Sequence, residues 1–153
     1  MAETFTVQLD AWIAQAKEKT DAFVRQFVQE AAEQIIVGTG DANYGGPGTP
    51  VDTGYARACW QAGYTVNVKF PLKGDGSDNG GASGAPMPAP DVGLVTAQMA
   101  GGKVFYLLNN CNYIEQLEYG SSAQAPAGMV RVTLAQSDII AKGVLAMLGG
   151  KGK

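Results

Sequence analysis

Val104-Phe105-Tyr106-Leu107-Leu108-Asn109-Asn110-Cys111-Asn112-Tyr113-Ile114-Glu115-Gln116-Leu117-Glu118-Tyr119-Gly120-Ser121-Ser122-Ala123-Gln124-Ala125-Pro126-Ala127-Gly128-Met129-Val130-Arg131 is the stretch that decides the fold. Its Val/Phe/Tyr content predicts a strand over 103–108. Asparagines follow as a turn, Tyr113 to Tyr119 reads as a brief helix, and Gly120 stops it. Pro126 is expected near the start of the last helix, where its missing N–H costs nothing. Val130, Leu134, Ala141, Val144, Leu145 and Leu148 give that helix an apolar face, although the Val130 to Leu134 alternation competes as a strand signal. Nothing in the stretch looks like reactive chemistry. It looks like a device that holds backbone elements at fixed angles.

Working outward, residues from about Thr6 to Val37 read as one long amphipathic helix. Leu9, Trp12, Ile13, Ala16, Phe23, Phe27, Ala31 and Ile35 recur at steps of three and four. A Trp/Phe stripe of this kind predicts a face turned to the core. Asp52 is expected to cap a short helix reaching about Trp60, its carboxylate accepting the N–H of Gly54 or Tyr55. Tyr64 to Phe70 alternates as a strand. Asp91 to Ala100 suits a short helix, with a strand as the alternative. The fold class expected is therefore α+β: an antiparallel β-sheet packed by a long N-terminal helix and a C-terminal helix, with Gly/Pro-rich loops.

A length of 153 residues suits a single domain over 1–153. Loops are expected at 38–50 and 73–90, with a flexible tail at 149–153. Glycine numbers 21, roughly double the average usage, and charged residues make up 16%, below the usual ~25%. A net charge of −3 leaves no basic footprint for nucleic acid. No basic n-region with an apolar core opens the chain, and no apolar run reaches membrane-spanning length. Cys59 and Cys111 lack the spacing of a metal site, and are expected to be buried or idle thiols of a reducing cytoplasm.

Histidine is absent, which removes the commonest general base and metal ligand. Asp52-Thr53-Gly54 has the form of an aspartic-protease triplet, whose aspartates share a proton across a dimer. That chemistry needs an apolar strand before the triplet, and Gly45-Gly46-Pro47-Gly48-Thr49-Pro50 stands there instead. Asp75-Gly76-Ser77-Asp78-Asn79-Gly80 resembles a calcium loop, but its twelfth position is Pro86 rather than a bidentate Glu. Glu115 and Glu118 lie three apart on a helix and are better suited to salt bridges or capping than to catalysis. No catalytic, cofactor-binding or metal residue is assigned.

Two blocks carry a resemblance. Pro50-Val51-Asp52-Thr53-Gly54-Tyr55-Ala56-Arg57 with Trp60, and Val104 to Arg131 with its Asn109-Asn110 turn, Tyr113, Glu118-Tyr119-Gly120-Ser121 and Gln124-Ala125-Pro126-Ala127-Gly128-Met129-Val130-Arg131, resemble the neck or tail-completion (head–tail connector, minor tail) proteins of long-tailed bacteriophages. The blocks cover about a third of the chain. The sequence departs at Cys111-Asn112, where a Pro commonly precedes the Tyr.

The resemblance implies a virion protein that forms a homo-oligomeric ring, a hexamer, in the neck. It implies contacts with a head-closure or adaptor connector on one side and a tail terminator or tail tube on the other. DNA is implied only as cargo passing through the lumen, with neither membrane, cofactor nor catalytic activity. Assembly would take place in the bacterial host cytoplasm. The interface and structural candidates are Asp52, Thr53, Gly54, Arg57, Trp60, Tyr113, Glu118, Gly120, Pro126 and Arg131. Asp52 and Arg57 are expected to fix their turn by a charge-assisted bond, and Glu118 to pair with Arg131 or a neighbour's basic residue. The alternatives are a tail-terminator ring protein and, from another class, a dimeric aspartic protease using Asp52-Thr53-Gly54.

Overall fold

The computed structural model describes residues 5–38, 45–65 and 88–149. Helix α1 (Phe5–Ile36) leads into α2 (Tyr55–Ala58), β1 (Trp60–Gly63) and α3 (Gly93–Thr96). Strand β2 (Tyr106–Asn109), α4 (Ile114–Glu118), α5 (Val130–Ala135) and α6 (Ser137–Gly149) complete the order. The architecture is α+β: among the described residues, a two-stranded antiparallel sheet with the long helix and the C-terminal helices around it.

Helix α1 ends where its periodicity ends. Gly38 takes φ +81° and donates to the carbonyls of Glu33 and Gln34, both at 3.2 Å. A helix leaves its last carbonyls without internal partners, and here the returning chain supplies them. Thr49 donates its N–H to Ile36 O at 3.2 Å and its hydroxyl to Ile35 O at 2.9 Å. The same hydroxyl accepts the Trp60 indole N–H at 2.8 Å. Thr49 and Trp60 are both buried, so this relay leaves no indole donor stranded in the core.

That bond also sets the strand. The sheet pairs Trp60 with Asn109 and Gly63 with Tyr106. Of the strand expected over 64–70, Tyr64 and Thr65 are bends after β1 closes at Gly63, and residues 66–70 lie outside the described residues. Trp60, expected at the end of a helix, opens β1 because its side chain is drawn into the core. There it meets Ala32, Ile35 and Ile36 of α1, with Val92 and Met129. The loop expected over 73–90 also falls mostly outside the described residues.

Residues 91–100 fold as one helical turn, α3, followed by further turns. The Asp91 carboxylate accepts the Gly93 N–H at 2.8 Å. The segment lies along α1: Arg25 donates to Met99 O at 3.1 Å, and Asp21 accepts the Gly101 N–H at 2.8 Å. Another side of α1 receives α6, whose buried Ile140 and Val144 meet Phe23 and Phe27.

The last helix is two helices. The strand alternative over Val130 to Leu134 does not form; those residues are α5. The break falls at Gln136, where the backbone leaves helical geometry (φ −99°, ψ 6°). Its side chain is held on both sides, accepting from Gln34 Nε2 at 2.8 Å and donating to Gly45 O at 3.0 Å. This amide pair ties the end of α1, the 45–50 loop and the α5–α6 corner together. Helix α6 runs through Gly149, and the rest of the tail expected at 149–153 lies outside the described residues.

Candidate functional site

Glu118, the last residue of α4, is the polar centre of the second block. Its carboxylate accepts three successive backbone N–H groups at the start of α5: Met129 and Val130 on Oε2, and Arg131 on Oε1, each at 2.9 Å. The first turn of a helix presents unpaired N–H groups and a partial positive charge, which an anion satisfies. The Arg131 guanidinium turns back as well, placing Nε 3.3 Å from Oε1 and donating from Nη2 to the Glu118 carbonyl. Glu118 and Arg131 thus form an ion pair. Partial burial pushes the Glu118 carboxyl up, but the backbone N–H groups and the Arg131 guanidinium outweigh it. The net pKa lies below the ordinary glutamate value.

Two glycines allow this approach. Gly128 (φ +81°) lies so close that an added Cβ would sit 2.3 Å from Glu118 O and 2.7 Å from Oε1. Gly120 (φ +87°) comes against Pro126, with an added Cβ 2.4 Å from its carbonyl oxygen. Only glycine combines a left-handed φ with such contacts at no cost. Pro126 is thus part of the turn facing Gly120, four residues ahead of Val130 rather than at the first turn of the last helix. Glu118, not the proline, defines that helix start.

The first block is held against the second by side-chain amides. Gln124 brackets Val51 as a strand neighbour would, Oε1 accepting the Val51 N–H at 3.0 Å and Nε2 donating to Val51 O at 3.1 Å. Asn109 Nδ2 donates to Ala56 O at 2.8 Å, while its Oδ1 accepts the Cys111 N–H at 2.8 Å. Beneath lie Tyr55, Ala56, Cys59 and Cys111, all buried, with Tyr113 at their edge and its ring centroid 6.5 Å from that of Tyr55. Neither cysteine is joined in a disulfide. Burial pushes the Tyr113 hydroxyl well above the ordinary tyrosine value, and the hydrogen bond with Cys111 adds to the shift. A cleft of about 370 Å³ separates the blocks, lined among others by Asp52, Thr53, Gly54, Tyr113 and Gln124.

Asp52 does not cap α2. Gly54 (φ +81°) occupies the cap position without a side-chain bond from its neighbours, and the Thr53 hydroxyl accepts the Tyr55 N–H at 3.3 Å. The left-handed turn at Gly54 brings the shorter Thr53 side chain to that N–H and leaves Asp52 exposed. Arg57 does not close on Asp52 either. It reaches back to the Thr49 carbonyl at 3.5 Å, and its Nε is buried without a partner. The Asp52 loop follows coil at Thr49-Pro50, so the strand that would carry a protease aspartate is missing from its place.

The structure therefore brings most candidates together in two adjoining groups. Asp52, Thr53, Gly54 and Tyr113 flank the cleft. Glu118, Gly120, Pro126 and Arg131 form the junction beside it, and Trp60 sits apart in the core. Gln124, Asn109 and Thr49 are not among the sequence candidates, because nothing in a sequence distinguishes an amide or hydroxyl that brackets a distant backbone from one that faces water.

A second surface lies at the other end of α1. Residues 6–20 are exposed all round, so roughly 22 Å of helix stand clear of the domain. The apolar stripe runs the whole helix, yet only its second half is covered. Trp12 is 65% exposed, Ile13 51% and Leu9 41%, contrary to the core face expected of them. No helix among the described residues is long and apolar enough to cross a membrane. No family model, no curated protein and no solved structure matches the chain.

Proposed function

We propose that this chain is a structural subunit of a phage neck, forming a ring that joins the DNA-filled head to the tail and lets DNA pass. The observation that carries the reading is the interlocking of the two blocks that resemble neck proteins. Gln124 binds Val51, Asn109 binds Ala56, and Glu118 binds Met129, Val130 and Arg131. Every one of these polar groups is spent on backbone, which suits a rigid wedge rather than a reacting centre. A half-bare helix agrees, since an apolar stripe left open on a monomer marks a surface built for another chain. The acidic net charge of −3 suits a lumen that DNA slides past without sticking.

Partners under this reading are further copies of the chain, a head-side connector ring and a tail-side terminator or tube. The test is electron microscopy of a lysate from phage lacking this gene. Separate DNA-filled heads and finished tails support the joining role. Joined particles, or heads without DNA, exclude it. Uncapped tails of irregular length would point to the tail-terminator alternative.

A further inference from the structure

The bare half of α1 has an order that selects its own partner. Between Leu9 and Thr20 the stripe follows alternating steps of four and three: Leu9, Ile13, Ala16, Thr20. These are the two seam positions of a heptad, with Leu9 and Ala16 in one class and Ile13 and Thr20 in the other. Asp10 and Lys17 then flank the seam on one side, and Trp12 and Lys19 flank it on the other. All are exposed, and Asp10, Lys17 and Lys19 join no ion pair among the described residues.

We propose that this segment docks on the same segment of a second copy, antiparallel, about a two-fold axis between Ala14 and Gln15. That register seats Ile13 against Ala16 of the second copy and Leu9 against its Thr20. On one flank Asp10 faces Lys17 and Lys17 faces Asp10, giving two symmetric ion pairs. On the other, each Trp12 ring faces the Lys19 ammonium of the opposite copy, a cation–π arrangement. A parallel pair in register would face one flank with the other, so Asp10 would not meet Lys17 and neither ion pair would form. The complementarity of charge, present in one antiparallel register, argues for a second copy over an unrelated helix.

Such a contact is isologous and closes at two copies. It is a form of the free chain, independent of whether the chain later enters a ring. It also involves no part of the Asp52 loop, so it is not the dimer an aspartic protease needs. A helix pair of this length buries on the order of 1,000 Å² in total, at the small end of specific interfaces.

Sedimentation equilibrium of the full chain tests this. The wild type is expected to reach twice its 15.9 kDa mass at micromolar concentrations and to dissociate as salt is raised. Asp10→Lys and Lys17→Asp are each expected to weaken the dimer about tenfold, and the double variant to restore it. Ile13→Asp should give a monomer with an unchanged circular dichroism spectrum. A wild-type monomer overturns the inference. So does a double variant that is no tighter than the singles, or a larger assembly indifferent to Ile13→Asp.

Discussion

Replacing Glu118 tests the junction at its centre. In Glu118→Ala the first turn of α5 loses the acceptor of three N–H groups, and one of them belongs to the buried Met129. Leaving that donor unsatisfied costs about 2 kcal/mol, and loss of the cap adds about 1 kcal/mol. The Arg131 pair adds little, because the arginine side chain is 54% exposed and screened by solvent. The sum of about 3 kcal/mol is a large part of the 5–15 kcal/mol typical of a domain. Glu118→Gln keeps the shape but turns an amide donor toward N–H donors, and should cost about 2 kcal/mol.

The assay is urea unfolding followed by circular dichroism, at neutral and acidic pH. Because the folded carboxyl has its pKa below the unfolded value of about 4.3, its contribution is complete above about pH 5. It fades as pH falls through the unfolded value toward the folded one. Wild type should therefore lose an increment of stability on acidification that Glu118→Gln has already lost. Glu118→Gln within about 0.5 kcal/mol of wild type at neutral pH, with the same acid dependence, would refute the reasoning.

Other substitutions follow from the same geometry. Gly128→Ala should cost more than about 2 kcal/mol in urea unfolding, since the new Cβ meets the Glu118 carbonyl oxygen and Oε1 at a positive φ. Thr49→Val should cost about 2 kcal/mol by stranding the Trp60 indole, while Thr49→Ser retains most of the stability because the hydroxyl relay survives. Gln124→Ala should lower global stability by only about 1 kcal/mol, yet speed amide hydrogen exchange at Val51, whose N–H then faces solvent. Cys59 and Cys111 should resist a thiol reagent in the native protein and react on unfolding; labelling of either at native rates would contradict their burial.

The parts of the fold that were legible in the sequence are those where a local rule decides. The α1 periodicity, the Gly38 stop and α4 follow from spacing and propensity, whereas the strand expected over 103–108 forms only from Tyr106 and takes in Asn109, which was expected in the turn. Trp60-Gln61-Ala62-Gly63 has no alternation to read; it is a strand because Trp60 finds Thr49 and Asn109 lines up opposite. Proline at 126 resembles a helix start, but a carboxylate eleven residues upstream of Met129 sets the start at Val130. Aspartate at 52 resembles a cap, but the left-handed Gly54 hands the bond to Thr53. The pairing of Glu118 with Arg131 was readable because both are charged and close in the chain. The helix break at Gln136 was not, since its cause is a bond to Gln34 across the fold. The α1 stripe announced an apolar face without saying whose atoms would cover it.

The neck reading is tested most directly by complementation. Purified wild-type chain is added to a lysate of phage lacking this gene, and infectious particles are counted. Separate heads and tails are expected to join and infectivity to appear. Finished heads and tails that stay apart in the presence of the folded chain, with infectivity at background, would contradict it.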